Sequence, residues 1–495
     1  MNNVHALETL CEAGHYSYGF ENHAKKDEGA FAKTVEMFKQ ADTIIFNSMI
    51  SNEEAMILQS LKKKYGYKLI NKEAKKFQEF MSNFNHISGK HLYGGSLDVL
   101  ESCDAVITLG CSVSIDNPAL SKALEKAHNE ANAYIAYMHP LEDRSLKDVV
   151  SQHIKYEVGS EEGLLAMLAD LVVNEEGKKI SKPFFDDLDI GYICGESSVG
   201  EEEFDEINEK LLSCKKCVLV IGSDVFNHPR AKNIAKILGM ISKYSDFEIL
   251  MIPSELNTLG VSLICDLDED IEGKTIGYNV EADFTLSFLG KGNLDMPSLK
   301  QQEGTYTSLD KQVLQLNKAI DFEGYRLNDI ANALGLEADR TIDYTAKLPV
   351  TSGYKAVAFD DLERSSTVSA LTRGYALENL DVKSESETLD EVDEISEFNG
   401  TVIYRCNHSL SGFSQESKSS PESELLLLGS KQFATAAKIK TGTMVRFEMD
   451  GKTYQRKFEV SDDLKGTIAY NPVFDSTDNY DEYRYKRVNL EEVNG

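Results

Sequence analysis

A chain of 495 residues is too long for a single hydrophobic core, and at roughly 100 to 200 residues per domain it divides into three or four. Its 52 Lys and Arg stand against 82 Asp and Glu, a formal charge of −30 that repels nucleic-acid phosphates and anionic lipid surfaces alike. With 41% hydrophobic residues, no apolar run near the roughly 18 residues of a spanning helix and no basic, apolar leader, it reads as a globular cytoplasmic protein without nucleic-acid partner or direct membrane insertion.

The first 40 residues, with Leu10-Cys11-Glu12-Ala13-Gly14-His15-Tyr16 at their centre, are too rich in Gly and aromatics for a plain helix and read as a loop packed on a neighbour. Thr43-Ile44-Ile45-Phe46 has the character of a buried strand. Ser51-Asn52-Glu53-Glu54-Ala55 then supplies a helix cap and the start of an apolar period. Strand and helix alternate to about Val173, giving a first α/β lobe over 41–173. Residues 174–208 turn polar and acidic and read as a surface linker, and a second α/β lobe is expected over 209–345.

Two stretches carry the same plan about 110 residues apart: Ala105 to Leu109 followed by Gly110-Cys111-Ser112 and Asn117-Pro118, and Cys217 to Ile221 followed by Gly222-Ser223-Asp224 and Asn227-His228-Pro229. Continuous apolar runs of this length are parallel strands buried on both faces, and their carboxyl ends are where open α/β sheets take ligands. Gly110 and Gly222 let backbone approach closely there. Asn117 and Asn227 have two readings, as the lining of a nucleotide-like ligand site or as turn and helix-start chemistry. Cys111 reads as a buried thiol, and Cys214-Lys215-Lys216-Cys217 as structural, because no second pair or nearby His completes a metal set. Neither GxGxxG nor GxxxxGK[ST] occurs.

Gln302-Glu303-Gly304-Thr305-Tyr306-Thr307 is polar and Gly-interrupted, and reads as an ordered surface loop before the extended Val313 to Leu316. The stretch from Glu378 to Glu397 carries nine carboxylates against one lysine, so 346–399 is expected to be an acidic linker. From 400 to 495 the pattern is all-β, with Asp450-Gly451 between alternating runs as a hairpin signal, and a small β-barrel is expected.

Taken together, these segments resemble the molybdopterin-oxidoreductase superfamily, and most closely the G subunit of bacterial NADH-quinone oxidoreductase. The residues that carry the resemblance are Ser51 to Ala55, the two loops ending in Asn117-Pro118 and Asn227-His228-Pro229, and Glu303-Gly304-Thr305-Tyr306-Thr307, similar to that family's EGTxTN segment. Ser308 stands where Asn is usual and Gln312 where Arg is usual. The C-terminal part is similar to the superfamily's double-psi barrel.

The resemblance implies two Rossmann-like α/β lobes plus that barrel, with Gly110, Asn117, Gly222, Asn227, Glu303, Gly304 and Thr305 at the cofactor-facing positions. Cys11 resembles the last cysteine of the family's Fe-S region, and residues 1–40 then read as the remnant after that region. One cysteine cannot hold a cluster that needs about four thiolates, so Fe-S clusters are expected on partner subunits and molybdopterin is not expected. The implied function is a peripheral-arm scaffold of the respiratory complex, supporting electron transfer from donor to quinone without its own active site. The alternative is a catalytic molybdopterin oxidoreductase of formate-dehydrogenase type.

Overall fold

The computed structural model describes residues 25–288, 290, 292–336, 343–364, 372–383, 388–394, 401–406, 426–449, 451–462, 464–472 and 482–493. Cys11, and the loop expected around it, lie outside them. In chain order the first strands are β1 (Thr43–Phe46), β2 (Lys68–Ile70), β3 (Ala105–Leu109), β4 (Tyr134–Met138), β5 (Gln152–Ile154), β6 (Cys217–Ile221) and β7 (Phe247–Met251). There follow β8 (Thr275–Tyr278), β9 (Phe284–Ser287), β10 (Leu294–Asp295), β11 (Gly304–Thr307), β12 (Gln312–Leu316) and β13 (Gly374–Ala376). The last are β14 (Val402–Cys406), β15 (Leu426–Gly429), β16 (Met444–Met449), β17 (Lys452–Val460), β18 (Ile468–Pro472), β19 (Tyr485–Arg487) and β20 (Glu491–Glu492).

Two five-stranded parallel sheets form the body. One has the order β10-β9-β8-β1-β2 and the other β5-β4-β3-β6-β7. Every residue of β3, β4 and β6 is buried, as their apolar sequences, broken only by Thr108 in β3, require when both faces of a parallel sheet are covered.

This partition corrects the sequential lobes 41–173 and 209–345. β3 and β6, expected in different lobes, are hydrogen-bonded neighbours in register Ala105↔Cys217 to Leu109↔Ile221. β1 is flanked by β2 and by β8, which arrives after the whole second sheet has been laid down. Local periodicity identifies each strand but carries no information about which distant strand pairs with it.

The helices begin with α1 (Glu28–Phe38), capped by Asp27, where the sequence had been read as loop. The next, α2 (Asn52–Tyr65), starts with the expected capping box: Glu54 N donates to Ser51 Oγ at 3.1 Å and Ser51 N to Glu54 Oε2 at 2.8 Å. It is followed by α3 (Lys72–Ser88), the short α4 (Leu97–Glu101) and α5 (Val113–Asp116), α6 (Pro118–Ala131) and α7 (Glu161–Val172). Residues 174–208, expected to be a linker, fold as α8 (Glu175–Ile180), α9 (Lys182–Asp186), α10 (Ile190–Ser197) and α11 (Glu201–Leu211). In α8 and α11 acidic residues fill the first turn, where the helix dipole favours them, and Phe184, Ile193, Phe204 and Ile207 are buried.

Then come α12 (Ser223–Phe226), α13 (Ala231–Tyr244), α14 (Thr258–Ile264), α15 (Leu327–Ala333) and α16 (Lys431–Ala437). Helix α3 belongs to the first sheet's chain and α13 to the second's, and they pack closely. A Cβ on Gly239 would lie 2.6 Å from Ile87 Cβ, and Phe77 and Phe80 set their rings edge-on against Phe226 at 5.0 and 4.9 Å. One continuous apolar core spans both sheets.

The stretch from Gln302 to Thr307, expected as a surface loop before the extended Val313 to Leu316, instead contains the strand β11, which pairs antiparallel with β12, extended by β13. Thr305 and Thr307 are inside because their hydroxyls find partners there, a possibility that a polarity count misses.

The C-terminal strands form a seven-stranded mixed sheet, β19-β14-β18-β15-β17-β16-β20, curled as a half-barrel around Ile403, Leu427, Phe433, Phe447 and Phe458. Its β14–β18 and β15–β17 pairs are parallel and the others antiparallel. The expected hairpin joins β16 to β17, with Gly451 at φ of 73°. Among the described residues no helix is long and apolar enough to cross a membrane.

Removing the α2 cap oxygen in Ser51→Ala leaves a first-turn amide unbonded in a buried position, and is expected to cost about 1 kcal/mol in urea denaturation. A change within error would mean that the box does not hold this helix.

Candidate functional site

The carboxyl ends of β3 and β6 meet at Gly110 and Gly222. Gly110 has φ of 69°, and a Cβ there would lie 2.5 Å from Val225 Cγ2. A Cβ on Gly222 would be 2.2 Å from both Cys111 Cβ and Gly110 O, so the two loops touch through glycine alone. Gly222 N donates to Leu109 O at 2.9 Å and Asp224 N to Gly110 O at 3.2 Å. The repeated loops are thereby fused side by side, and each aims one aspartate into the same place, Asp116 from α5 and Asp224 from α12.

Arg484, just before β19 of the C-terminal sheet, fills that place. Its Nη1 and Nη2 bind Asp116 Oδ1 and Oδ2, both at 2.7 Å, and its Nε donates to Asp224 Oδ1. Asp224 is 0% exposed and Arg484 4%. The guanidinium lies over the Tyr404 ring, 5.0 Å from its centroid, and Tyr404 stacks on Tyr485 at 4.5 Å. Tyr485 Oη is 3.2 Å from His139 Nε2, which is 3.7 Å from Asp224 Oδ2. Burial works to raise the Asp224 pKa, but the Arg484 charge and hydrogen bonds outweigh it and hold the carboxyl below its ordinary value. Burial likewise opposes the Arg484 charge, and Asp116 and Asp224 together push its pKa further up. Cys111 beside them is a buried thiol, raised well above its usual value by desolvation.

A second buried arrangement adjoins the first. Glu161 Oε1 accepts from Tyr483 Oη at 2.8 Å and from Tyr156 Oη at 3.2 Å, while its Oε2 stands 3.5 Å from His228 Nε2. His228 Nδ1 accepts from Arg230 N at 3.0 Å, which places the ring proton on Nε2, facing Gly159 O at 3.1 Å. Burial raises the Glu161 pKa against the lowering effect of His228.

The other expected residues have more local work. Asn117 is the N-cap of α6, accepting from Leu120 N at 3.0 Å with Pro118 at the first turn. Asn227 ends α12, its Nδ2 3.4 Å from Ser223 O, and lines a surface cavity. Glu303 is exposed. Gly304 and Thr305 form a joint with α2: Thr305 N and Oγ1 both donate to the Glu53 carboxylate at 2.7 Å, Thr345 Oγ1 adds a third bond at 2.9 Å, and a Cβ on Gly304 would be 2.6 Å from Glu53 Oε2. Gly110 and Gly222 therefore share one locus, whereas Glu303, Gly304 and Thr305 serve the α2 joint.

Sequence reasoning missed Arg484, Glu161 and the two aspartates. The signal for the last was present, since each repeated loop holds one Asp between its glycine and its Asn.

A carboxylate pair, Glu73 and Glu255, sits where the ends of β1, β2 and β7 converge from the two sheets. Glu73 accepts from Thr258 Oγ1 at 2.8 and 3.0 Å, from Ser254 N at 3.4 Å and from Ser48 Oγ at 3.4 Å; Glu255 accepts from Ser48 N. Burial, and then the Glu255 charge, push Glu73 up to about 8, and burial pushes Glu255 up to about 7. Among the described residues no group of three or more His, Cys, Asp or Glu is arranged to hold a metal ion.

No protein-family model matches this sequence, and no curated protein matches it. Among solved structures it is similar to acetylene hydratase from Pelobacter acetylenicus, with a TM-score of 0.62 at 8% identity over 90% of this chain and 81% of that one. The two share a fold. The formyltransferase/hydrolase complex from Methylorubrum extorquens in complex with methylofuran matches with a TM-score of 0.40 at 9% identity, over 64% of this chain and 97% of that one, too low to carry an argument.

Arg484→Met strands the buried Asp224 and the half-buried Asp116 and is expected to cost about 3 to 5 kcal/mol, while adding Asp116→Asn and Asp224→Asn recovers most of the loss. Because the folded Asp224 pKa is depressed, the clamp's stabilisation is present above the ordinary carboxylate range and is lost as pH falls through the folded value. Amide exchange in β14 measured against pH reads both effects, and equal protection in wild type and Arg484→Met refutes the clamp.

The Glu73 and Glu255 pair has the opposite sign. Raised folded pKa values mean that the folded state holds the proton more tightly, so stability falls as pH rises through about 7 and 8. Glu73→Gln is therefore expected to melt like wild type at acidic pH and above it at alkaline pH, a divergence that scanning calorimetry detects.

Proposed function

We propose that this chain is a scaffold-type peripheral-arm subunit of a respiratory NADH-quinone oxidoreductase, holding partner subunits that bear the Fe-S clusters on the cytoplasmic side of the membrane. It supports electron transfer from donor to quinone without an active site of its own. Within this reading the two parallel sheets are the Rossmann-like lobes of the molybdopterin-oxidoreductase type, and the curled C-terminal sheet is their double-psi barrel.

The observation that carries the reading is the Arg484 clamp. The crevice outside the carboxyl ends of β3 and β6, where this class of sheet takes ligands, is filled by the chain's own Arg484, Tyr404 and Tyr485. These residues do not suit a pterin, because the groups that would face it are already spent on one another in a buried ion pair and a ring stack. Gly110 and Gly222, the cofactor-facing positions of the resemblance, contact each other's loops instead. The formal charge of −30 suits a subunit that meets basic surfaces on neighbouring proteins.

One feature favours the catalytic alternative, a molybdopterin oxidoreductase of formate-dehydrogenase type: Glu73 and Glu255 titrate near neutral pH, as acid–base groups do. Purification of the tagged chain from its own host membranes separates the readings. The scaffold reading expects co-purification with Fe-S subunits and NADH-quinone reductase activity, with molybdenum far below one per chain by elemental mass spectrometry. A stoichiometric molybdenum content, or isolation without such partners, overturns it.

A further inference from the structure

Glu162 on α7, Asn233 on α13 and Arg230 just before α13 form a bonded trio. Arg230 Nε donates to both Glu162 oxygens at 3.0 and 3.1 Å, and Asn233 Nδ2 donates to Glu162 Oε1 at 2.7 Å. Glu162 is 3% exposed and Asn233 2%. Each of the three also reads the main chain of segment 388–394, which crosses them without helix or turn. Asn233 Oδ1 accepts from Asp390 N and its Nδ2 donates to Asp390 O, both at 2.9 Å. Arg230 Nη2 donates to Glu391 O at 2.7 Å, and Glu162 Oε2 accepts from Asp393 N at 3.1 Å.

Two ion pairs complete the contact: Lys236 Nζ lies 3.0 Å from Asp390 Oδ2, and Arg230 Nε 3.8 Å from Asp393 Oδ2. The segment itself lies shallow. Asp390, Glu391, Asp393 and Glu394 are exposed, and Leu389 and Val392 are only half-buried against the core. With so little apolar area holding it, the segment belongs to the parts of a structure that open at low cost. The trio does not need it, because the Glu162 carboxylate keeps Arg230 and Asn233 when the segment leaves. Beside Asp390 the groove continues toward α3 as a cavity of about 320 Å3, walled in part by Phe80, Phe226 and Pro229.

We infer that this groove is a docking site for a linear acidic segment of a partner protein, and that residues 388–394 are its resident occupant, which the partner displaces. The buried side chains read N–H and C=O groups that every non-proline residue carries, while Lys236 and Arg230 select carboxylates at the Asp390 and Asp393 positions. A basic segment makes the main-chain bonds but forfeits both ion pairs. Tethering holds the resident at an effective concentration on the order of mM. Of its residues only Asp390 reaches the cavity wall, so an incoming segment offsets that advantage by placing an apolar side chain in the cavity. The inference goes beyond the scaffold reading and does not depend on it, so either can fail without the other.

The test is fluorescence anisotropy with a labelled synthetic peptide of residues 388–394, titrated with the full chain and with a full-length variant whose residues 388–394 are replaced by Gly and Ser. The peptide is expected to bind the variant at least about tenfold more tightly than the wild type, with affinity falling as salt rises. Asp390→Pro in the peptide removes the N–H that Asn233 accepts and is expected to weaken binding at least about tenfold, whereas Glu391→Gln, whose side chain is exposed, changes it by no more than about twofold. In the wild-type chain, excess peptide is expected to speed amide exchange at Asp390 and Asp393, a reading that does not need the variant to fold. Equal binding of the Asp390→Pro peptide, or exchange unchanged by excess peptide, overturns the proposal. A wild-type dimer that the peptide dissociates assigns the groove to a second copy of this chain and overturns the partner assignment.

Discussion

Everything at the sheet ends depends on one buried cation. A guanidinium removed from water needs anions and hydrogen-bond acceptors on all its edges, and Arg484 obtains them from two loops far apart along the chain that meet in space. The meeting is possible only because Gly110 and Gly222 carry no side chains. The cation in turn fixes how the C-terminal sheet lies on the body, and the tyrosines around it, Tyr404, Tyr483 and Tyr485, become the packing surface of that contact.

The molecule keeps the carboxylates at its junctions by two different means. Asp224 remains ionised because a fixed cation, Arg484, compensates it. Glu73 and Glu255 have neutral hydrogen-bond donors, Ser48, Ser254 and Thr258, so they lower their charge by retaining a proton. The first arrangement is rigid across physiological pH and the second changes charge within it. The junction between the two sheets and the junction to the C-terminal sheet therefore answer differently to the same change in solution.

Much of this was legible in sequence wherever the cause is local. The strand β6 announces itself by five consecutive apolar residues and β3 by an apolar run broken only at Thr108, Ser51 and Glu54 by their spacing, and the β16–β17 hairpin by its turn residues. The assignment of strands to sheets was not legible, because the pairing of Thr43 with Thr275 leaves no mark on either neighbourhood. Thr305 and Thr307 were misjudged because a hydroxyl is polar by composition yet at home in a core when Glu53 and Asn52 await it. Arg484 was invisible for a similar reason: an arginine between two tyrosines near a strand reads equally well as facing solvent.

The interleaving of the sheets sets an order of events during synthesis. When β1 and β2 leave the ribosome, the neighbour that completes β1, namely β8, is more than 200 residues away in the chain. At about 5 to 20 residues per second, that interval lasts roughly 10 to 45 s. The strands β3 to β7 emerge within it and form an unbroken sheet among themselves, so the sheet encoded second is the first able to close. Meanwhile β1, an apolar strand with an open edge, waits for its partner, and it is during this interval that the nascent chain most needs shielding from its neighbours.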